Sequence, residues 1–274
     1  MPQDDLITYI YLAVATLSVA VFGMLLFRGA LSEQQLRLGP TRDLHQPRWI
    51  YRFAIVGVLI YSTCKLTVHG EQPVQVLLAI ELIPYALIGL MLGRARHVEA
   101  GFRKIGLLPR WPGRDCRWGL LGGVVGLGLA GAVSMGVTFI SERLGLPVDP
   151  IAHESLQTLR DEFSMELLIS LVVSAVIIAP LIEEIVFRGV FQTSLLRVFR
   201  GMRWPALLVA SAVFSVIHFS VVPWQGLISL FVLGLVFGYV YERTGSLLTP
   251  ILAHAVFNAA NITITLLLPD QLPQ

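Results

Sequence analysis

The sequence predicts an all-α fold, a polytopic membrane protein of about eight transmembrane helices. Three observations carry that prediction. Apolar residues make up 55% of the 274 positions and charged residues 14%, against roughly 25% charged in soluble domains. Mean hydropathy is +0.73, so too few polar groups exist to cover a soluble surface of this size. The apolar residues also fall in long continuous runs, unlike the short alternating segments of an outer-membrane barrel. Disorder is excluded by the same composition. A net charge of +2 with a pI near 8.7 is too mild to indicate nucleic acid. Cys64 and Cys116 offer neither a disulfide framework nor a paired metal site. The first apolar run follows Asp4 and Asp5 instead of a basic segment, which reads as a span and not as a secretory signal.

In chain order the expected spans are Leu6–Phe27, Phe53–Val68, Val74–Gly93, Gly119–Ile140, Glu166–Leu196, Pro205–Val222, Leu227–Tyr241 and Pro250–Leu268. Each approaches the roughly 20 residues that a bilayer core requires. The second carries Lys65 near its end, where a long side chain can snorkel. The fourth holds Gly122, Gly123, Gly126, Gly128, Gly131 and Gly136, small residues that let helix backbones approach closely in lipid. Between the fourth and fifth, Ala152–Phe163 mixes polar residues with Leu156, Leu159 and Phe163. It suits either a short surface helix or a plain connection.

Loop charges set an expected orientation. Arg28, Arg37, Arg42, Arg48 and Arg52 follow the first span, and Arg94, Arg96, Arg103, Lys104, Arg110, Arg114 and Arg117 follow the third. Arg197, Arg200 and Arg203 follow the fifth, and Arg243 the seventh, while the opposite loops contribute only Arg143 and Arg160. By the positive-inside rule the basic loops are cytoplasmic and both termini lie outside. In a bacterial host the location would be the plasma (inner) membrane. The chain is read as N-terminal transmembrane helices over residues 1–145 and a C-terminal core over 146–274.

Ionisable residues within spans are costly and mark candidate sites. Glu81 in the third span stands alone near Pro84 and could cap a kink or pair with a neighbour. The fifth span is richer, reading Pro180-Leu-Ile-Glu183-Glu184-Ile-Val-Phe-Arg188-Gly189. Glu184 and Arg188 are four apart and share a helix face, so they can pair. Glu183 lies about 100° away around the helix, free to exchange a proton elsewhere. Two adjacent carboxylates with opposite environments suit acid/base chemistry. Pro180 lacks an amide, which frees the Val176 carbonyl and kinks the helix.

Histidines supply the complement. His218 lies in the sixth span, and His254 and Asn258 share a face of the eighth. Glu183 is fourteen residues before Arg197 and His218 fifteen after Arg203, which at about 1.5 Å per residue puts them at similar depth. By the same count His254 is shallower, unless the helix tilts or starts irregularly near Pro250.

Glu183-Glu184-x-x-x-Arg188, Phe214-x-x-x-His218 and His254-x-x-x-Asn258 resemble, in this order, the three motifs of the CPBP (Abi) family, which includes the type II CAAX prenyl endopeptidases and bacteriocin-processing or immunity proteins. Phe187-Arg-Gly-Val-Phe-Gln192 and Tyr241-Glu-Arg-Thr-Gly-Ser246 are similar as well, and the resemblance spans about Glu166–Leu268. It implies an intramembrane endopeptidase whose site is enclosed by helices. Carried over, Glu183 would activate water as general base together with His218. Glu184 and Arg188 would hold the geometry and charge, and His254 with Asn258 would stabilise the oxyanion.

Family members are described both as glutamate proteases and as metalloproteases. The sequence lacks the HExxH pattern, and a carboxylate with a histidine suffices to activate water. No cofactor is therefore favoured, with zinc held by Glu183, His218 and His254 as the alternative. The expected partners are membrane lipids and a membrane-associated or lipidated protein or peptide substrate, with no nucleic acid. The rival readings are a non-catalytic scaffold or immunity-type protein, and a proton-coupled transporter using Glu183 and Glu184 as a relay. A transporter should show repeat symmetry, whereas these polar residues concentrate in the last four spans.

Overall fold

The structure, a computed structural model, describes residues 3–37, 48–67, 74–97, 101–109, 111–147, 156, 158–159 and 163–267. All regular structure among them is helical: α1 (Gln3–Phe27), α2 (Glu33–Arg37), α3 (Arg48–Thr67), α4 (Val74–Ala95), α5 (Gly101–Lys104), α6 (Pro112–Arg143), α7 (Met165–Val198), α8 (Arg203–Val216), α9 (Trp224–Thr244) and α10 (Leu248–Leu267). The eight expected runs lie on α1, α3, α4 and α6 to α10. Of these, α6, α7, α9 and α10 are long and apolar enough to cross a membrane. Shorter apolar stretches cover Leu12–Leu25, Leu82–Ala95 and Arg203–Val216. The expectation of eight spans thus holds as eight helices, with crossing length shown for four. At 14 residues, α8 extends only about 21 Å against a hydrocarbon core of about 30 Å. The Ala152–Phe163 segment falls almost wholly outside the described residues, as does the side chain of Glu81 on α4.

Close packing starts from α6. A Cβ on Gly123 would lie 2.6 Å from Val256 Cβ and 2.9 Å from the Ala253 carbonyl of α10. One on Gly126 would meet Leu233 of α9 at 3.0 Å, and one on Gly128 would stand 2.7 Å from the Val14 carbonyl of α1. The glycines therefore seat three helices against α6 at backbone distance. Gly136 is different, with open space where its Cβ would be.

The first half of α7 turns Ile169, Val173, Ile177 and Leu181 outward, an apolar face suited to lipid. Its second half is buried from Glu184 through Gln192. There Phe187 and Phe191 pack with Val58 of α3, Leu87 of α4 and Phe214 of α8. On another side Ile185 and Val190 meet Met91, Tyr241 and Leu247. The α9–α10 connection is pinned by two glycines with positive φ. Gly245 caps α9 at φ 68°, and Gly106, at φ 81°, accepts a hydrogen bond from the Leu247 amide at 2.9 Å. A Cβ on Gly106 would stand 2.5 Å from the Gly245 carbonyl.

Within α7 the winding is not uniform. Val172–Ile178 and Ile185–Gln192 are π-helical. The Ala179 amide accordingly donates to the Ser174 carbonyl, five residues back. Such local widening of a helix is frequent at functional sites.

Candidate active site

Glu183 and Glu184 sit at the end of the short α-helical stretch between the two π-wound segments of α7. Their side chains diverge as the 100° step requires. Glu184 is fully buried, whereas Glu183 is 26% exposed and lines a cavity. The Arg188 Nη1 donates to Glu184 Oε1 at 2.8 Å, and Arg188 Nη2 donates to the Gly234 carbonyl of α9 at 3.2 Å. The guanidinium carbon stands 4.6 Å from the Phe214 ring centre and 5.4 Å from that of Phe237. This buried charge therefore has a carboxylate, a carbonyl and two aromatic faces around it, which is how a protein interior tolerates an arginine.

His254 approaches the same carboxylate from α10. Its Nδ1 donates to Glu184 Oε1 at 2.9 Å, and its ring stacks on Phe237 with centres 4.9 Å apart. The shallower depth read for His254 is thus corrected. Pro250 lies in the first turn of an unbroken α10, where a missing amide is harmless, and the histidine reaches Glu184 directly. With Nδ1 engaged, Nε2 is the ring's remaining polar atom. It offers a lone pair when the ring is neutral and an N–H when the ring carries a second proton.

His218 does not lie in a helix span. α8 ends at Val216, and the chain turns through His218, whose carbonyl accepts the amides of Val221 and Val222 at 3.0 Å each. The expected end at Val222 is corrected accordingly. The His218 Nδ1 lies 2.8 Å from the Phe214 carbonyl. A carbonyl only accepts, so Nδ1 carries the proton and Nε2 of the neutral ring is a base. That Nε2 faces Glu183 Oε2 at 4.0 Å. Glu183 Oε2 is itself buried with no hydrogen-bond partner among the described residues.

Asn258 points to the π-wound part of α7, donating from Nδ2 to the Ala175 carbonyl at 2.7 Å. Glu183, His218, His254 and Asn258 line a single cavity of about 370 Å³, walled with apolar groups such as Leu230 and Phe257. All six residues of the three motifs are therefore brought together, four on the cavity and Glu184 with Arg188 behind it. Among the described residues no three His, Cys, Asp or Glu side chains are grouped so as to hold a metal ion. Of the donor set Glu183, His218 and His254, Glu183 Oε2 and His218 Nε2 face each other at 4.0 Å, and His254 Nδ1 is held by Glu184 while its Nε2 is left over.

A second buried polar group escaped the sequence reading. Gln192 Nε2 donates to Glu242 Oε1 at 2.7 Å, and Arg203 pairs with the other oxygen of Glu242. This ties α7, α8 and α9 together two turns beyond Glu183 and Glu184. The Glu33 carboxylate caps the start of α8, accepting the Arg203 amide at 2.7 Å and the Trp204 amide at 3.0 Å. The available signal was position: Gln192 and Glu242 stand inside the two strings that flank the motifs.

Comparison with known proteins agrees with the motifs. An Escherichia coli protein described as "Uncharacterized 24.3 kDa protein" is 31% identical over 132 residues, 47% of this chain. The alignment spans 57% of that relative's own length. No solved structure matches. Residues 165–260, which run from the start of α7 into α10 and contain all six site residues, match the family described as Type II CAAX prenyl endopeptidase Rce1-like, in agreement with the motif resemblance over that segment.

Proposed function

We propose that the chain is an intramembrane endopeptidase that hydrolyses a peptide bond of a membrane-associated or lipidated protein or peptide, using water activated by Glu183 and His218. One observation carries the reading. The orphaned oxygen of Glu183 and the basic Nε2 of His218 face each other across 4.0 Å at the cavity wall. That distance is too long for a direct hydrogen bond, and a water drawn in between the two groups would be the nucleophile.

In this mechanism the water oxygen bonds to the scissile carbonyl carbon as its proton passes to Glu183. The carbonyl electron pair moves onto oxygen. Asn258, through its second amide N–H, and His254, through Nε2–H when doubly protonated, donate to that oxyanion. The Glu184 carboxylate, accepting from His254 Nδ1, holds the ring so that Nε2 is the atom left for this contact. The proton held by Glu183 then goes to the leaving nitrogen as the C–N bond breaks. No step is routed through a metal.

The test compares membranes from cells carrying the wild-type chain with those carrying Glu183→Gln. Loss of a positioned base lowers the rate by about 10²–10⁴-fold. The expected result is a set of new protein termini that vanish in the variant while the chain still accumulates in the membrane. Termini unchanged by Glu183→Gln, or full activity of the purified variant, would overturn the assignment.

A further inference from the structure

We propose that Pro180 is a positioning residue of the site: by withholding an amide from the π-wound turn of α7, it leaves the Ala175 carbonyl free to hold the Asn258 side chain in its working orientation. The inference rests on the proteolytic reading for its consequence, but not for its hydrogen bonding. In a π-helix each amide donates five residues back, and the Ala179 amide does so to Ser174. The next amide in that register would belong to residue 180 and would take the Ala175 carbonyl. Residue 180 is proline, which has none. Pro180 is the second residue of the α-helical stretch that follows the π-wound segment, so Ala175 is the first carbonyl for which the π register finds no amide.

An unpaired carbonyl inside a helical bundle demands a partner. Asn258 of α10 supplies it, with Nδ2 at 2.7 Å. Since a carbonyl can only accept, this contact also fixes which end of the Asn258 amide is nitrogen and leaves the second N–H for the cavity that Asn258 lines. Ala175 and Pro180 bracket the approach to Glu183, three residues on. The proline therefore sets the position of the oxyanion donor relative to the base, although it touches no reacting atom. If alanine replaced it, the new amide would compete for the Ala175 carbonyl and release Asn258.

The test is a double-mutant cycle on the purified full chain in detergent, with Pro180→Ala, Asn258→Ala and both together. Thermal unfolding is the first readout. In the parent, Asn258→Ala strands the carbonyl and should lower the transition by roughly 2–10 °C. In the Pro180→Ala background, where residue 180 can donate instead, the same change should cost little. An equal loss in both backgrounds would overturn the coupling. Asn258→Asp, which keeps the size but cannot donate, follows the same pattern should Asn258→Ala prove too unstable to purify. The second readout is kinetic: Pro180→Ala should lower kcat at least tenfold with KM nearly unchanged. Full kcat in Pro180→Ala beside an active parent would overturn the positioning role. An inactive parent would instead strike the proteolytic reading and leave the thermal cycle to decide the hydrogen bond.

Discussion

Glu184 accepts from Arg188 and His254 on the same oxygen, so one buried carboxylate holds an arginine and a histidine from two helices. Removing one partner of such a pair leaves an uncompensated charge, a loss of about 3–5 kcal/mol. Arg188→Ala is expected to lower unfolding stability by that order and to abolish activity, measured by denaturation and turnover on the same preparation. An inactive variant as stable as the parent would contradict the structural role. The metal question is also tested at this scale. With water activated by carboxylate and imidazole, purified protein should retain activity after strong chelation. One tightly held zinc per chain, lost with activity in His218→Ala and His254→Ala, would overturn that expectation and make both histidines ligands. The Glu184–Arg188 contact was legible because four-residue spacing puts two side chains on one helix face. The Gln192–Glu242–Arg203 group was not. Arg203 stands at a helix start and reads as a loop charge, and nothing in sequence spacing says that it folds inward. The Asn258–Ala175 contact was hidden for another reason, since it depends on a π register that the residue pattern of α7 does not announce.

The glycines of α6 express at the scale of an element what close approach means. Gly123 faces α10 with no room for a side chain, and forcing methyl groups into such a contact costs typically 1–3 kcal/mol. Gly123→Val should therefore lower the thermal transition and loosen α6 from the helix that carries His254, with activity falling in parallel. Gly136→Ala is the matched control. Its Cβ would meet nothing, and alanine gains about 1 kcal/mol over glycine in a helix, so stability should hold or rise. Equal losses at both positions would refute the packing argument. Glycine density alone identified this helix as one that neighbours approach, and the neighbours came only with the fold. Helix ends were less legible. Apolar residues continue past Val216 through Ile217, Phe219, Val221 and Val222, so hydropathy extends α8 across the turn that presents His218. What stops the helix is the turn before Pro223 and the start of α9, a matter of backbone geometry and not of polarity.

Along the sequence, positive charge concentrates in the connections after the first, third, fifth and seventh runs, and that distribution predicts the orientation. Part of the charge is internally matched: Arg203 pairs with Glu242, and Arg114 holds the buried Asp115 at 2.9 Å while donating to the Thr244 carbonyl. The positive-inside rule counts lysines and arginines near helix ends and is not a net-charge rule, so the pairing does not weaken it. Cysteines introduced at Arg103 and Arg200 should then be reached by impermeant reagents only from the cytoplasmic side, and tags at Met1 and Gln274 only from the opposite side. Two ends on one face require an even number of crossings. The experiment therefore tests more than direction, since crossing length is shown for α6, α7, α9 and α10 and the remaining four runs must supply an even number more. Termini on opposite faces would mean that one of them, with α8 and the charged α3 the shortest candidates, lies within the bundle without crossing. Labelling of Arg103 or Arg200 from outside would reverse the orientation altogether. It would place the Gln192–Glu242–Arg203 end of the bundle, and the cavity's access relative to it, on the other side of the membrane.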